Sequence, residues 1–183
     1  VRIAPTAFVY AGAEVSIIAG GDVTIDSNAN NSASFLAPNT STGVAIGDIT
    51  YKRYINDDNW HLVSAPVANQ TIGDFVGANE SVVAYNEGNG NHAVAYYNNA
   101  NAAGTRWTYH NTTATTSEDN KETLTNFIAG QGYSMKKTAA GDYTFTGAMA
   151  NADVSVTIPT ITTAGTHLWS AIGNPFPSFL TVS

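Results

Sequence analysis

The chain has 183 residues, no cysteine, 43% hydrophobic residues, 11% charged residues and a formal net charge of −7. This length allows one large domain or one domain with a small appendage, and the lack of thiols excludes disulfides and thiolate metal sites. Acidic charge repels phosphate backbones, and no apolar run reaches about 18 residues, so neither nucleic acid nor membrane insertion is expected. Because charge is scarce, Asn, Thr, Ser and Gly must supply the polar surface, which favours strands and turns and is typical of extracellular proteins.

Residues 1–46 are predicted to form a strand-and-turn appendage. Val15 and Ile17 alternate with polar residues, as do Val23 and Ile25, and the Gly-Gly pair between them indicates a hairpin. The second interpretation is the end of a β-solenoid, in which strands and turns repeat. A polar, glycine-bearing connection then places a boundary near Gly47, so residues 47–183 form the main predicted module.

Two strands and a short helix are predicted after this boundary. The segments "ITYKRYI" and "NWHLVSAPV" read as strands joined by the turn "NDDN". The second has apolar residues on both faces, including Trp60 and Leu62, which predicts a buried central strand that ends at Pro66. Thr71 is the expected N-cap of a helical turn in "TIGDFV".

Short strands and turns fill the rest of the chain. Glycine- and asparagine-rich turns separate apolar runs over residues 81–111, and a polar loop follows. Tyr143 and Phe145 alternate with threonines, and Val154, Val156 and Ile158 alternate with polar residues, so both segments predict half-buried antiparallel strands. The predicted fold is all-β: an antiparallel, jelly-roll-like β-sandwich with a strand-rich N-terminal appendage.

One short sequence motif, which we call the repeated phrase, occurs twice. "NWHLVSAPV" at residues 59–67 is echoed by "THLWSAIGNPFP" at residues 166–177. We expect the two copies to be equivalent core strands in two halves of the sandwich, with Trp60 and Trp169 buried. The alternative is chance similarity in a chain of biased composition.

The segments "NWHLVSAPV", "GQGYSMK" and "GNPFPS", in this order, resemble a module of large secreted and cell-surface proteins of Bacteroidetes that look like type IX secretion cargo. The resemblance covers about residues 47–180. It implies β architecture, an extracellular or cell-surface location and a place in a multi-module exported protein, and it carries no catalytic motif.

The sequence contains no recognisable enzyme motif. G-x-S-x-G, H-E-x-x-H and a phosphate-binding glycine loop are all missing, and the four histidines lack metal-ligand spacing, so we expect no enzyme and no cofactor other than Ca²⁺. The Ca²⁺ candidates are the carboxylates Asp57, Asp58, Glu118 and Asp119. Neither acidic pair matches a Ca²⁺-loop spacing, so solvated turns are the alternative, and any effect of Ca²⁺ on stability should be modest.

Four aromatic residues lie on a predicted hairpin and are candidates for stacking on sugars. A hairpin that is symmetric about Asn101 and Ala102 would pair Tyr96 with Trp107 as core. The opposite face would then carry Tyr97, Arg106 and His110 as the candidate ligand-binding residues. A one-residue slip in register would instead place Tyr97 opposite Trp107.

The sequence therefore predicts a non-enzymatic, extracellular structural or adhesive module. The alternative is a carbohydrate-binding module of a secreted polysaccharide-degrading protein. The expected partners are neighbouring modules of a parent chain, identical subunits that assemble through end strands into a filament, or a polysaccharide. Residues 1–10 and 177–183 are the end strands in question, because each is apolar or alternating without an obvious partner. A boundary cut within a longer protein would look the same.

Overall fold

The computed structural model describes residues 1–10, 23–36, 47–99, 101–102, 104–113, 121–150, 152–158 and 169–180. Within these ranges the chain forms twelve strands and one helix, which confirms the all-β class. The strands are β1 Arg2–Ile3, β2 Phe8–Tyr10, β3 Val23–Ile25, β4 Ser34–Leu36, β5 Asp48–Ile55, β6 Trp60–Val63, β7 Tyr85–Asn86, β8 Asn91–Tyr97, β9 Trp107–Asn111, β10 Lys121–Glu122, β11 Tyr133–Lys136 and β12 Gly141–Ala148, and the helix is α1 Ile72–Ala78. No helix in the described ranges has the length and apolar character needed to span a membrane.

The strands form three sheets. A four-stranded sheet has the order β1-β3-β5-β12, and a six-stranded sheet has the order β10-β9-β8-β11-β6 with β7 paired to β8. Strands β2 and β4 form a separate pair. The pairs β1–β3, β3–β5, β2–β4 and β9–β10 are parallel, whereas the others are antiparallel. The four-stranded and six-stranded sheets are therefore mixed, and the four parallel pairs differ from the antiparallel pairing predicted for the β-sandwich.

The N-terminal strands stack in parallel, in register. Thr24 pairs with Arg2 on one side and with Thr50 on the other, at separations of 22 and 26 residues along the chain. Since β1 and β5 occupy both edges of β3, the hairpin predicted for Val23–Ile25 is wrong. The sequence "GDVT" at residues 21–24 recurs as "GDIT" at residues 47–50 with the same 26-residue spacing, a repeat that the sequence reasoning missed. The solenoid interpretation of the whole appendage stays a prediction, because residues 11–22 and 37–46 lie outside the described ranges.

One hydrophobic core joins the four-stranded and six-stranded sheets. Phe75 of α1 is fully buried and stacks on Phe145 of β12, with ring centroids 4.7 Å apart. Phe75 also meets Phe127 edge to face, and Phe127 meets Tyr133 of β11 in the same way. The predicted N-cap is confirmed, since the Thr71 hydroxyl accepts a hydrogen bond from the Asp74 amide at 2.9 Å. This short helix thus anchors both sheets to one cluster of rings.

The prediction that both tryptophans of the repeated phrase are buried is wrong. Trp60 is 48% exposed and Trp169 is 41% exposed. Strand β6 ends the strand order of the six-stranded sheet and is not central, and its outward-facing side chains Trp60 and Leu62 are both exposed. Residues 169–173 form no strand, and their β-pairing is limited to an isolated bridge between Ile172 and Gln131. The two phrases are therefore not equivalent strands.

The two copies nevertheless touch. The Ser64 hydroxyl donates a hydrogen bond to the Asn174 carbonyl at 2.8 Å. A Cβ at Gly173 would overlap the Ser64 side chain, so only glycine fits this crossing. The first copy pairs in a sheet and the second lies against it at Ser64, where the close approach requires a small residue on each side.

Two further strand predictions have opposite outcomes. Tyr143 and Phe145 are both fully buried in β12, as the alternation predicted. Val156 and Ile158 are 43% and 58% exposed in a segment without strand structure, so the strand predicted there is wrong. The Val156 side chain instead covers Gly130, where a Cβ would collide with it.

The N-terminal strands have partners within the chain. Strand β1 pairs with β3, and β2 pairs with β4. The expectation that residues 1–10 form a strand whose partner lies outside the chain is therefore corrected. The C-terminal segment joins the same region, since the Phe35 amide donates to the Pro177 carbonyl at 2.7 Å. Residues 181–183 lie outside the described ranges.

Candidate functional site

The register of the six-stranded sheet decides which rings face outward. Tyr97 lies opposite Trp107 and Tyr96 lies opposite Thr108, so the slipped register is the correct one and the symmetric hairpin is wrong. The register shifts between Asn91 and Ala95, which marks a β-bulge. Because side chains alternate along a strand, Tyr97 shares the outward face with Trp107 and Tyr109.

Five aromatic rings gather on this face, and we call them the outer aromatic cluster: Trp60, Tyr97, Trp107, Tyr109 and Trp169. Tyr97 is stacked on Trp169 with ring centroids 3.6 Å apart and meets Trp107 edge to face at 5.1 Å. Trp60 meets Tyr109 edge to face at 6.1 Å. Trp107 and Tyr109 are two residues apart on β9, so they connect the two groups of rings.

A cleft of about 360 Å³ opens beside Trp60 and Tyr109, and we call it the lysine cleft. Its walls are four ring-bearing residues, three asparagines and two lysines, and its remaining lining residues are Ala84 and Ala93. The walls are Trp60, Tyr85, His92, Tyr109, Asn86, Asn89, Asn91, Lys121 and Lys136. A concave site with apolar rings and a few polar side chains is the usual form of a small-ligand site.

The asparagine rim of the cleft is built by a tight turn between β7 and β8. The Asn86 side chain accepts a hydrogen bond from the Gly88 amide at 2.9 Å, and the Asn86 carbonyl accepts one from Gly90 at 2.8 Å. Gly90 has φ of 74°, which disfavours any side chain. The buried Asn111 amide then donates to the Asn89 carbonyl at 2.9 Å and to Asn91 Oδ1 at 2.8 Å. These contacts fix the rim before any ligand arrives.

A pair of histidines lies behind this rim. His92 lines the cleft, whereas His110 is only 1% exposed, and their ring centroids are 5.6 Å apart. Burial lowers the pKa of His110 to about 4, with a further contribution from His92. Burial also lowers the pKa of His92, against the opposing charge of Glu80. Both imidazoles are therefore neutral at neutral pH.

The three sequence-predicted ligand residues do not share one face. Tyr97 is half-buried and belongs to the outer aromatic cluster. His110 is buried, so a surface ligand cannot reach it. Arg106 is half-buried just before β9, and its carbonyl accepts the Asn98 amide at 2.7 Å. The sequence reasoning missed Trp60, Tyr85, Lys121 and Lys136, which come from other strands and are brought together only by the sheet order.

The acidic turn before β6 is engaged with its own chain. Asp57 Oδ1 lies 2.7 Å from His61 Nε2 and accepts the Asn59 amide at 2.9 Å. The His61 hydrogen bond, followed by that of Asn59, lowers the pKa of Asp57. Asp58 is exposed, and Glu118 and Asp119 lie outside the described residues. Across the described ranges, no three His, Cys, Asp or Glu side chains cluster as a metal ion would require.

A larger cleft, of about 600 Å³, lies between the N-terminal segment and β5. Its lining includes Phe8 and Phe179, which are 61% and 69% exposed, and the Arg53 side chain. The lysine cleft is the stronger candidate, because tryptophan and tyrosine rings combine an apolar surface with a polar edge. It also adjoins the outer aromatic cluster.

Comparison of the chain with protein-family models, with curated proteins and with solved structures gave no match. The candidate site is therefore defined by the geometry of this chain: rings, amides and two cations on the outward face of one sheet.

Proposed function

We propose that this chain is a non-catalytic, extracellular adhesive module that binds polysaccharide along the outer aromatic cluster and in the lysine cleft. One observation carries the proposal: Trp60 is 48% exposed and touches Tyr109 beside a cleft rimmed by asparagine amides. Flat rings stack on the apolar faces of sugars, and amides exchange hydrogen bonds with hydroxyl groups.

The two faces of the six-stranded sheet carry different types of residue. The inward face buries Val94 and Met135 completely, as a core requires. The outward face places the large rings of Trp60, Trp107 and Tyr109 where they are half-buried or exposed. A contiguous exposed apolar patch marks an interaction site more often than chance, which supports a binding role.

The extracellular setting rests on composition and on the family resemblance of "NWHLVSAPV", "GQGYSMK" and "GNPFPS". A module without catalytic groups in a multi-module surface protein serves attachment. A carbohydrate-binding module that accompanies a polysaccharide-degrading domain would use the same cleft, so this proposal covers both settings of the site.

The test is binding of the purified chain to a panel of polysaccharides by affinity electrophoresis and calorimetry. We expect Trp60→Ala and Tyr109→Ala to weaken binding by about tenfold or more each, as truncation of a central aromatic contact does. Phe179→Ala is the matched control, because its ring is 69% exposed but lies at the other cleft. Binding to no polysaccharide, or binding that ignores both cleft variants, would contradict the proposal.

A second function, assembly with neighbouring modules or identical subunits, is favoured by the position of β1. This strand ends the order of the four-stranded sheet, and the parallel stack behind it repeats at 22 and 26 residues. A further parallel strand added at β1 would continue that stack. Light scattering across a hundredfold range of concentration tests self-assembly, and a constant monomer mass would rule out the homotypic form.

A further inference from the structure

The lysine cleft has an unusual charge for this chain. The sequence has 14 Asp and Glu against 7 Lys and Arg. Two of those seven cations, Lys121 and Lys136, line this single cleft, and among the described residues no carboxylate lines it. In an acidic protein, such a local excess of positive charge concentrates anions at one place on the surface.

Each lysine is placed beside one of the two central rings. Lys136 on β11 is the cross-strand partner of Trp60 on β6, and Lys121 on β10 is the partner of Tyr109 on β9. Cross-strand partners project from the same face of a sheet. In the strand order β10-β9-β8-β11-β6, Lys121 therefore lies beyond Tyr109, at one end of the sheet, and Lys136 lies on a strand between those of Tyr109 and Trp60.

Other cations of the chain serve the fold. Arg2 and Lys52 both pair with Asp26, which is 3% exposed. Lys137 is fully buried, and its Nζ donates to the Asp142 carbonyl at 2.6 Å. Lys121 and Lys136 are half-buried, and both line the lysine cleft.

We propose that the polysaccharide bound in the lysine cleft is anionic and carries carboxylate or sulfate groups. This inference rests on the proposed function and names the substrate class. Sugar rings stack on Trp60 and Tyr109, while acidic substituents meet Lys136 between the strands of the two rings and Lys121 beyond Tyr109. The asparagine rim hydrogen-bonds the remaining hydroxyls. Charge-assisted contacts are stronger than neutral ones, so the lysines select charged chains over neutral chains of the same backbone.

The experiment compares polygalacturonate and alginate as carboxylate probes, a carrageenan as the sulfate probe, and a galactomannan as the neutral probe. The variants are Lys121→Gln and Lys136→Gln, with Lys121→Arg and Lys136→Arg to keep the charge. Arg53→Gln is the matched control, since it removes one exposed cation from β5 in the other sheet.

We expect at least one anionic probe to bind more tightly than the neutral one, with affinity that falls as salt rises. Each Gln variant should weaken that binding about fivefold, as loss of a partly exposed charged contact does, whereas the Arg variants and Arg53→Gln should stay within twofold of the parent. Comparison of the carboxylate and sulfate probes shows which acidic group is selected.

Three outcomes overturn the inference. Binding of the neutral probe that depends on Trp60 but not on the lysines refutes the charge assignment and leaves the proposed function intact. Binding to no polysaccharide refutes both. Polyglutamate or duplex DNA bound as tightly as the acidic polysaccharides would show that charge alone is recognised, without a sugar.

Discussion

Trp60 and Tyr109 meet edge to face with ring centroids 6.1 Å apart, although β8 and β11 lie between the strands that carry them. The rings can reach one another because both intervening strands present a small side chain beside Tyr109, Ala95 on β8 and its cross-strand partner Ser134 on β11. The two large rings thus pack above small side chains, and the cleft forms beside them.

The exposed position of Trp60 sets the cost of its removal. Phe75 is fully buried and touches three other rings, so Phe75→Ala should lower the free energy of unfolding by about 3–5 kcal/mol. Trp60→Ala removes a ring that is 48% exposed and should cost about 1 kcal/mol. Urea denaturation of both variants measures the difference. Equal losses would show that Trp60 is a core residue after all.

Asn79 closes the edge of β12 and should be hard to replace. Its amide donates to the Phe75 and Thr144 carbonyls at 2.8 and 2.9 Å, and its Oδ1 accepts the Thr144 amide at 2.9 Å. Asn79→Ala leaves backbone groups of Thr144 without these partners in the interior, so we expect a loss of about 2–4 kcal/mol.

Asn79→Asp sharpens this test, because it keeps the size of the side chain and removes the donors. The carboxylate would face two carbonyl oxygens, so the loss should equal or exceed that of the alanine variant. Thermal unfolding followed by circular dichroism suffices for both. An aspartate variant as stable as the parent would disprove the hydrogen-bond assignment.

Gly147 on β12 has no room for a side chain. A Cβ there would overlap the Ala68 carbonyl oxygen and crowd the Val67 side chain. Gly147→Ala should therefore destabilise the chain by about 1–3 kcal/mol. Gly77→Ala in α1 is the control, because a Cβ there meets nothing within 4 Å and alanine favours helix, so this variant should match or exceed the parent. Melting temperatures that move together would contradict the close approach.

Stability should fall as the pH drops below about 6.5, the ordinary pKa of an unfolded histidine. The pKa of His110 is lowered to about 4 in the folded chain, so the unfolded state binds its proton first. The stabilisation is complete above 6.5 and is lost between 6.5 and 4, a change of about 2–3 kcal/mol. Urea titrations at pH 7.0, 6.0 and 5.0 measure this slope. His110→Gln should flatten it, and an unchanged slope would assign the effect to other groups.

Local patterns in the sequence predicted local structure well. The N-cap at Thr71 could be predicted because a side-chain cap depends only on residues up to three positions away. The burial of Tyr143 and Phe145 could be predicted because apolar and polar residues alternate there with a period of two, as in a strand with one buried face. The same logic was wrong for Trp60 and Leu62, since apolar residues on both faces suit a central strand and also suit an edge strand whose outer face binds a partner.

The candidate site depends on information that spacing does not contain. The bulge between Asn91 and Ala95 changes the pairing of β8 with β9. At the hairpin end, the one-residue slip places Tyr97 and His110 on opposite faces, whereas the symmetric register would place them on one face. The lysine cleft further requires that Trp60 and Lys121, 61 residues apart, come to one face. Only the strand order of the whole sheet brings them together.

The pairing of β5 has a mechanical consequence. Its eight residues, Asp48–Ile55, are hydrogen-bonded to β12 along their whole length and to β3 on the opposite edge. Tension applied along β5 loads these hydrogen bonds together in shear, so they resist as a group and do not break one after another. Force applied to the N-terminal strands β1 and β3 would therefore pass through β5 into β12, and many hydrogen bonds would have to break together before the sheet separates.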